Sequence, residues 1–220
     1  MTARRGALAA LVASLFVLLG AGLGGDFRAP GETPIADVIQ VLVLDREVVA
    51  IDGQAGTDLR IDLERGETVL SAEARGLVAI ALTDRRILAC AVRSSAWQQE
   101  RYRRGESVGA ALVGEQVAVV VTPKRAIGFD ARSRNLIDAT IGPHERVLAV
   151  DASGAVGVVI TDRRVLGISP FAGGFFTRGL DVGESIEGVA ATGNVATVRT
   201  SRRILTFQAV SGAWIEVPLD

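Results

Sequence analysis

Nine cations fall in two adjacent columns of this 220-residue chain. Arg46, Arg85, Lys124, Arg163 and Arg202 follow one another at intervals of 39 residues, and Arg86, Arg125, Arg164 and Arg203 repeat one place further on, where the first copy has Glu47. Guanidinium forks bind phosphate and carboxylate bidentately, so a ring of them can hold an anionic polymer, an acidic protein or lipid headgroups. A second periodic set competes for the same cations. Glu67, Glu106, Glu145 and Glu184 recur at the same interval, and complementary charges at equal spacing also read as a network of internal pairs. Nine cations against four glutamates leave a surplus that keeps the binding reading open beside the self-paired one.

Catalytic constellations are thinner. His144 is the only histidine and occupies the column of Gly66, Gly105 and Gly183, so it reads as a loop substitution, and a histidine metal cluster is excluded by count. Cys90, the only cysteine, excludes an intrachain disulfide and any multi-cysteine metal site. It shares a column with Ile51, Phe129, Ile168 and Phe207, which makes it a buried small hydrophobe. Neither a cofactor nor a metal is expected. The alternative enzyme is a carbohydrate-active hydrolase in which Glu73, Asp151 and Glu187, on the innermost strands of the repeat, supply carboxylates near a central axis. Arg101, Tyr102, Arg103 and Arg104 break the repeat's symmetry. One tyrosine among them, and 24 basic against 25 acidic residues overall, speak for a solvated strand edge and against nucleic acid.

The elements that must position these residues are set by the period. TDRRIL at Thr83 returns as TDRRVL at Thr161 and TSRRIL at Thr200, with looser copies LDREVV at Leu44 and TPKRAI at Thr122. Five exact 39-residue copies make a repeat architecture, and together they account for residues 26–220. Within each copy, two Val/Ile-rich runs flank a four-residue polar turn and predict a β-hairpin buried on both faces. Upstream lies a strand of small residues (69–74, 108–113, 147–152 and 186–191), followed by a turn with Gly76, Gly114, Gly154 or Gly193 nearby. Downstream, Trp97, Leu136, Phe175 and Trp214 share a column, with Asp58 in the first copy, and begin a fourth strand with a wedge-like side chain.

Four antiparallel strands, small innermost and bulky outermost, describe a propeller blade. The predicted fold is an all-β, five-bladed β-propeller of 39-residue four-stranded blades (about 27–65, 66–104, 105–143, 144–182 and 183–220) behind an N-terminal apolar helix. Blade one is the weak point, because its first strand falls near Arg28 to Ile35, where Pro30 and Pro34 interrupt a ladder. Closure would then rest on packing between blades one and five, aided by Trp214. An open stack, or a partial ring completed by a second chain, is the competing arrangement.

Arg4 and Arg5 precede a charge-free run from Gly6 to Gly25, long enough to span a bilayer. Residues 1–25 are therefore expected to be a signal peptide or a membrane anchor, with the rest delivered to the periplasm or the cell exterior. Both versions stay open at this level.

Ala50 to Leu59, Gly128 to Ile137 and Thr206 to Ile215 carry a further signal. Asp52, Asp130, the Ser211-Gly212 pair, and Trp97 or Trp214 match parts of a pattern in which a strand ending in Asp leads through a Ser/Thr-Gly turn to an aromatic residue. These stretches resemble the repeats of pyrroloquinoline-quinone-type β-propellers. The resemblance implies a propeller of that general kind, whose members include quinoprotein dehydrogenases and noncatalytic envelope scaffolds. The quinone, calcium and adjacent cysteines of the dehydrogenases have no place here, so the scaffold branch is the compatible one. The sequence thus predicts an exported or membrane-tethered scaffold whose arginine-rich loop face meets an envelope protein, an anionic polymer or lipid headgroups.

Overall fold

A computed structural model describes residues 35–219, which lie in the compact unit Thr33–Asp220. The first sheet holds β1 (Ile39–Val43), β2 (Glu47–Asp52) and β3 (Thr57–Asp62). The second holds β4 (Val69–Arg75), β5 (Val78–Thr83), β6 (Arg86–Ala91) and β7 (Gln98–Arg101). The third is β8 (Ala110–Val113), β9 (Val117–Val121), β10 (Arg125–Asp130) and β11 (Leu136–Thr140). The fourth runs through β12 (Val147–Ser153), β13 (Val156–Thr161), β14 (Arg164–Ile168) and β15 (Phe175–Gly179), and the fifth through β16 (Ile186–Thr192), β17 (Val195–Thr200), β18 (Arg203–Gln208) and β19 (Ala213–Pro218).

Each sheet is antiparallel and pairs its strands in chain order, an all-β architecture consistent with a five-bladed β-propeller. The sheet of blade one has three strands; Ile35 lies outside any strand, and the rest of the stretch expected to supply its first strand lies outside the described residues. So does the apolar N-terminal segment expected to be a helix. Among the described residues no helix is long and apolar enough to cross a membrane.

The middle strands explain why the blades stack. VAIALT in β5 and RILACA in β6 are buried along their whole length because the second sheet is covered on both faces by its neighbours. Buried clusters join blade one to two, two to three, three to four and four to five. Gly76 and Gly154 close the hairpins between first and second strands at φ of 54° and 57°. A side chain at either position would collide with the backbone of the following blade, at Glu115 and Gly193 respectively, so glycine is needed for conformation and for closeness. Blade one has Asp37 where blade two has Gly76, and its Oδ1 accepts the Gly76 N–H at 2.6 Å.

The wedge column turns toward the preceding blade. Trp97 Nε1 donates to the Leu59 carbonyl at 3.1 Å, and Trp214 Nε1 to that of Phe176 at 2.8 Å. Trp214 also packs tilted against Phe207, with ring centroids 5.1 Å apart. The expectation that Trp214 helps join blade five to blade one is therefore corrected: its strand presents it to blade four.

Candidate functional site

The two basic columns occupy the turn between second and third strands, and the turn is built by a threonine. Thr83 Oγ1 accepts the N–H groups of Arg85 (3.0 Å) and Arg86 (2.9 Å) and donates to the Arg86 carbonyl at 3.1 Å. Thr122, Thr161 and Thr200 repeat this geometry. The first cation consequently stays in the turn, whereas the second opens the next strand and points into the seam between blades.

In that seam the second column meets the glutamates. Arg86 grips Glu67 through Nε (2.8 Å) and an Nη (2.9 Å), and Arg203 grips Glu184 at 2.9 and 2.8 Å. Arg125 with Glu106 and Arg164 with Glu145 are equivalent. Each guanidinium also donates across the seam to a carbonyl of the blade before it: Asp62 (2.7 Å), Arg101 (2.8 Å), Thr140 (2.5 Å) and Gly179 (2.9 Å). Burial raises the Glu67 carboxyl, but hydrogen bonds from Arg86, the Glu64 N–H and Thr83 outweigh it and hold the group at about 2. Glu184 is likewise held at about 2, chiefly by Arg203. Glu106 and Glu145 are raised by burial and lowered further by Arg125 and Arg164, with a net fall in each.

Four of the nine expected contact cations are thus committed to blade-to-blade staples, and Arg125 is fully buried. The first column behaves differently. Arg46, Lys124, Arg163 and Arg202 are exposed; Lys124 Nζ reaches the Arg104 carbonyl, and Arg202 lies 4.0 Å from Asp181. Arg85 is half-buried, 3.3 Å from Glu64 and 3.1 Å from the Arg65 carbonyl. Arg101 pairs with Glu64 and Arg103 with Asp138 at 3.0 Å, so the symmetry-breaking basic stretch is partly spent on neighbouring blades. Tyr102 packs on the core between blades two and three, and burial, then Glu106, pushes its hydroxyl up to about 12.

The three candidate carboxylates do not form one constellation. Glu73 in β4 and Asp151 in β12 hold equivalent registers, opposite Ile80 and Val158. Both Asp151 oxygens accept backbone N–H groups, from Ala152 and from Ala191 across the seam, each at 2.8 Å. Glu187 is engaged by Arg199 at 3.0 Å. His144 is exposed in an inter-blade loop. Cys90 is fully buried, and burial pushes its thiol up to about 12. Asp52 and Asp130 accept the N–H groups two and three residues onward at 2.7–2.9 Å, so the strand-ending aspartates of the family-like motif shape turns.

The staples were accessible from sequence in half: each glutamate stands 19 residues before its arginine. Their other arm was not, since a backbone carbonyl has no residue signature.

No family model and no curated protein sequence matches the chain. Among solved structures it is similar to β-propeller proteins. Yeast RCC1 (Prp20) bound to Kap60 aligns at 8% identity and a TM-score of 0.43, over 80% of this chain and 55% of that one. AztD from Citrobacter koseri aligns at 14% identity and 0.40, over 83% and 60%, and Hsv2 from Kluyveromyces lactis at 10% and 0.40, over 86% and 63%. The chain spans less than two thirds of each of these proteins. The pyrroloquinoline-quinone-type resemblance is not specifically matched.

Proposed function

We propose that the chain is a noncatalytic binding or scaffold propeller whose contact surface is the first basic column, Arg46, Arg85, Lys124, Arg163 and Arg202. The observation that carries this reading is the division of labour at each turn. The second cation is consumed by the fold, while the first-column cation is left exposed at the equivalent turns of blades one, three, four and five and half-buried as Arg85 in blade two. Exposed cations at regular spacing suit an extended anionic partner better than a single small anion. The basic N-terminus and the uncharged run to Gly25 add an envelope location, exported or tethered, where acidic proteins, anionic polymers and lipid headgroups are all at hand.

The hydrolase alternative is not carried forward, because its three carboxylates form no constellation: Glu73 and Asp151 share a register two blades apart, Asp151 accepts two backbone N–H groups, and Glu187 lies outside that register beside Arg199.

Replacing Arg46, Lys124, Arg163 and Arg202 by glutamine tests the proposal. Retention on immobilised heparin, as a polyanion probe, should fall to a markedly lower eluting salt concentration while the melting temperature holds. Unchanged retention at an unchanged melting temperature would overturn it.

A further inference from the structure

Every blade has a leading face toward the blade before it and a trailing face toward the blade after it. At the four internal junctions these faces are dry: Ile39, Val78, Val117 and Val156, in one column of the trailing face, are 2%, 0%, 0% and 0% exposed. The same two kinds of face occur once more, at the ends. Among the described residues no buried cluster covers the leading face of blade one or the trailing face of blade five.

The end faces are not dressed for water. Terminal copies of an open repeat array need polar outer faces to stay soluble. Blade five instead aligns Thr197, Thr206 and Ile215 across three strands, with Ile204 beside Val217 in the next row. Val195, Ile215 and Val217 are 40%, 44% and 53% exposed. Blade one presents Leu42 at 45% and Ile51 at 38% beside Val49, which is itself buried, bordered by Gln40, Asp58 and Arg60. An apolar centre with a polar border is the composition of a protein interface.

Two departures from the repeat match each other. The trailing-face column of Leu82, Val121 and Ile160 becomes Arg199 in blade five, and the leading-face column of Arg86, Arg125, Arg164 and Arg203 becomes Glu47 in blade one. Both lie at the turn end of their face. A cation therefore appears on one end face and a carboxylate on the other, at the junction that the described residues leave unfilled. Their present partners, Glu187 and Arg60, are surface pairs 3.0 Å away that can be exchanged.

We infer that the occupant is a second copy of this chain, docked head to tail, with blade five of one copy against blade one of the other. The contact continues a junction the molecule already makes four times, and those junctions give the register. Gly157 of blade four lies against Val119 and Val117 of blade three, and Gly167 of blade four lies beneath Phe207 of blade five. Moved by the period, Gln40 meets Thr197 and Val195 of the other copy, Ile51 meets Thr206, and Glu47 approaches Arg199. The junction lacks the arginine staple, because Glu47 cannot donate to a carbonyl, so it is a dissociable version of the internal ones.

Cross-linking tests this on the full-length chain in nonionic detergent. Cys90 is buried, so Gln40→Cys and Thr197→Cys each add one accessible thiol. Mixed and oxidised, the two variants should give a disulfide-linked dimer that neither gives alone. No link in the mixture, or self-linking by a single variant, overturns the proposal. So does a double variant that links only within one chain, which would mean that blade five closes on its own blade one. By light scattering, E47R or R199E should each shift the mass at a fixed concentration toward the single chain, and E47R/R199E should restore it; failure of the double reversal to restore it also overturns the proposal.

Discussion

Lys124 and Arg125 are neighbours in sequence with opposite fates. Lys124 stands in solvent and touches one carbonyl, whereas Arg125 is fully buried and bound to Glu106, Glu100 and the Arg101 carbonyl. A milder form of the contrast separates exposed Arg163 and Arg202 from the half-buried Arg164 and Arg203. Its cause is local. A threonine-capped turn ends between the two residues, so the first side chain leaves with the turn and the second enters the ladder facing the preceding blade. Periodicity identifies both columns equally; only the strand boundary tells an interior cation from a surface one.

The largest effect should come from breaking the interior member. Arg125→Ala strands Glu106 in a desolvated seam, and removing one partner of a buried, hydrogen-bonded pair typically costs about 3–5 kcal/mol. Lys124→Ala should stay within about 0.5 kcal/mol of the parent, as exposed charges generally do. Urea unfolding of the two variants measures both. Equal losses would erase the distinction between the columns.

Acid should attack the same seams. Glu67 and Glu184 are held at about 2 against a usual 4.5, so their folded-state values are depressed. The stability they add is fully present above about 4.5 and disappears as pH falls from there toward 2. Each shift corresponds to roughly 3 kcal/mol at most, and Glu106 and Glu145, also held below their usual range, add in the same direction. Chemical denaturation from pH 6 down to pH 2 should show a steep decline, and Glu184→Gln should flatten part of it while lowering stability at neutral pH. Neutralising Arg163 should leave the slope unchanged.

The fold was legible because a 39-residue period carries its own register: Val78, Val117, Val156 and Val195 begin equivalent strands wherever one looks. The site was legible only in part. Glu67 and Arg86 advertise their pairing by spacing, but their third partner is the Asp62 carbonyl, which any residue could provide. Asp151 looks like a free carboxylate near the axis, and its commitment to the N–H groups of Ala152 and Ala191 depends on how closely β12 approaches β16. The sequence leaves the side that Trp214 faces undetermined for a related reason. A repeated bulky residue shows that a wedge exists, while the side it faces follows from strand direction and pleat.

That wedge column gives a smaller loss than the seams and the sharpest control for the staples. Trp97 lies one blade from the chain's start, with its ring in the core shared by blades one and two and its Nε1–H on the Leu59 carbonyl at 3.1 Å. Trp97→Phe keeps most of the apolar area and loses one neutral hydrogen bond, so stability should fall by about 1 kcal/mol. Because the bond involves no ionising group, that loss should be the same at pH 3 and at pH 7. A Trp97→Phe loss that grew with acid would mean that the outer wedge and the glutamate seam are coupled, and that the contrast between adjacent columns is not confined to the turn.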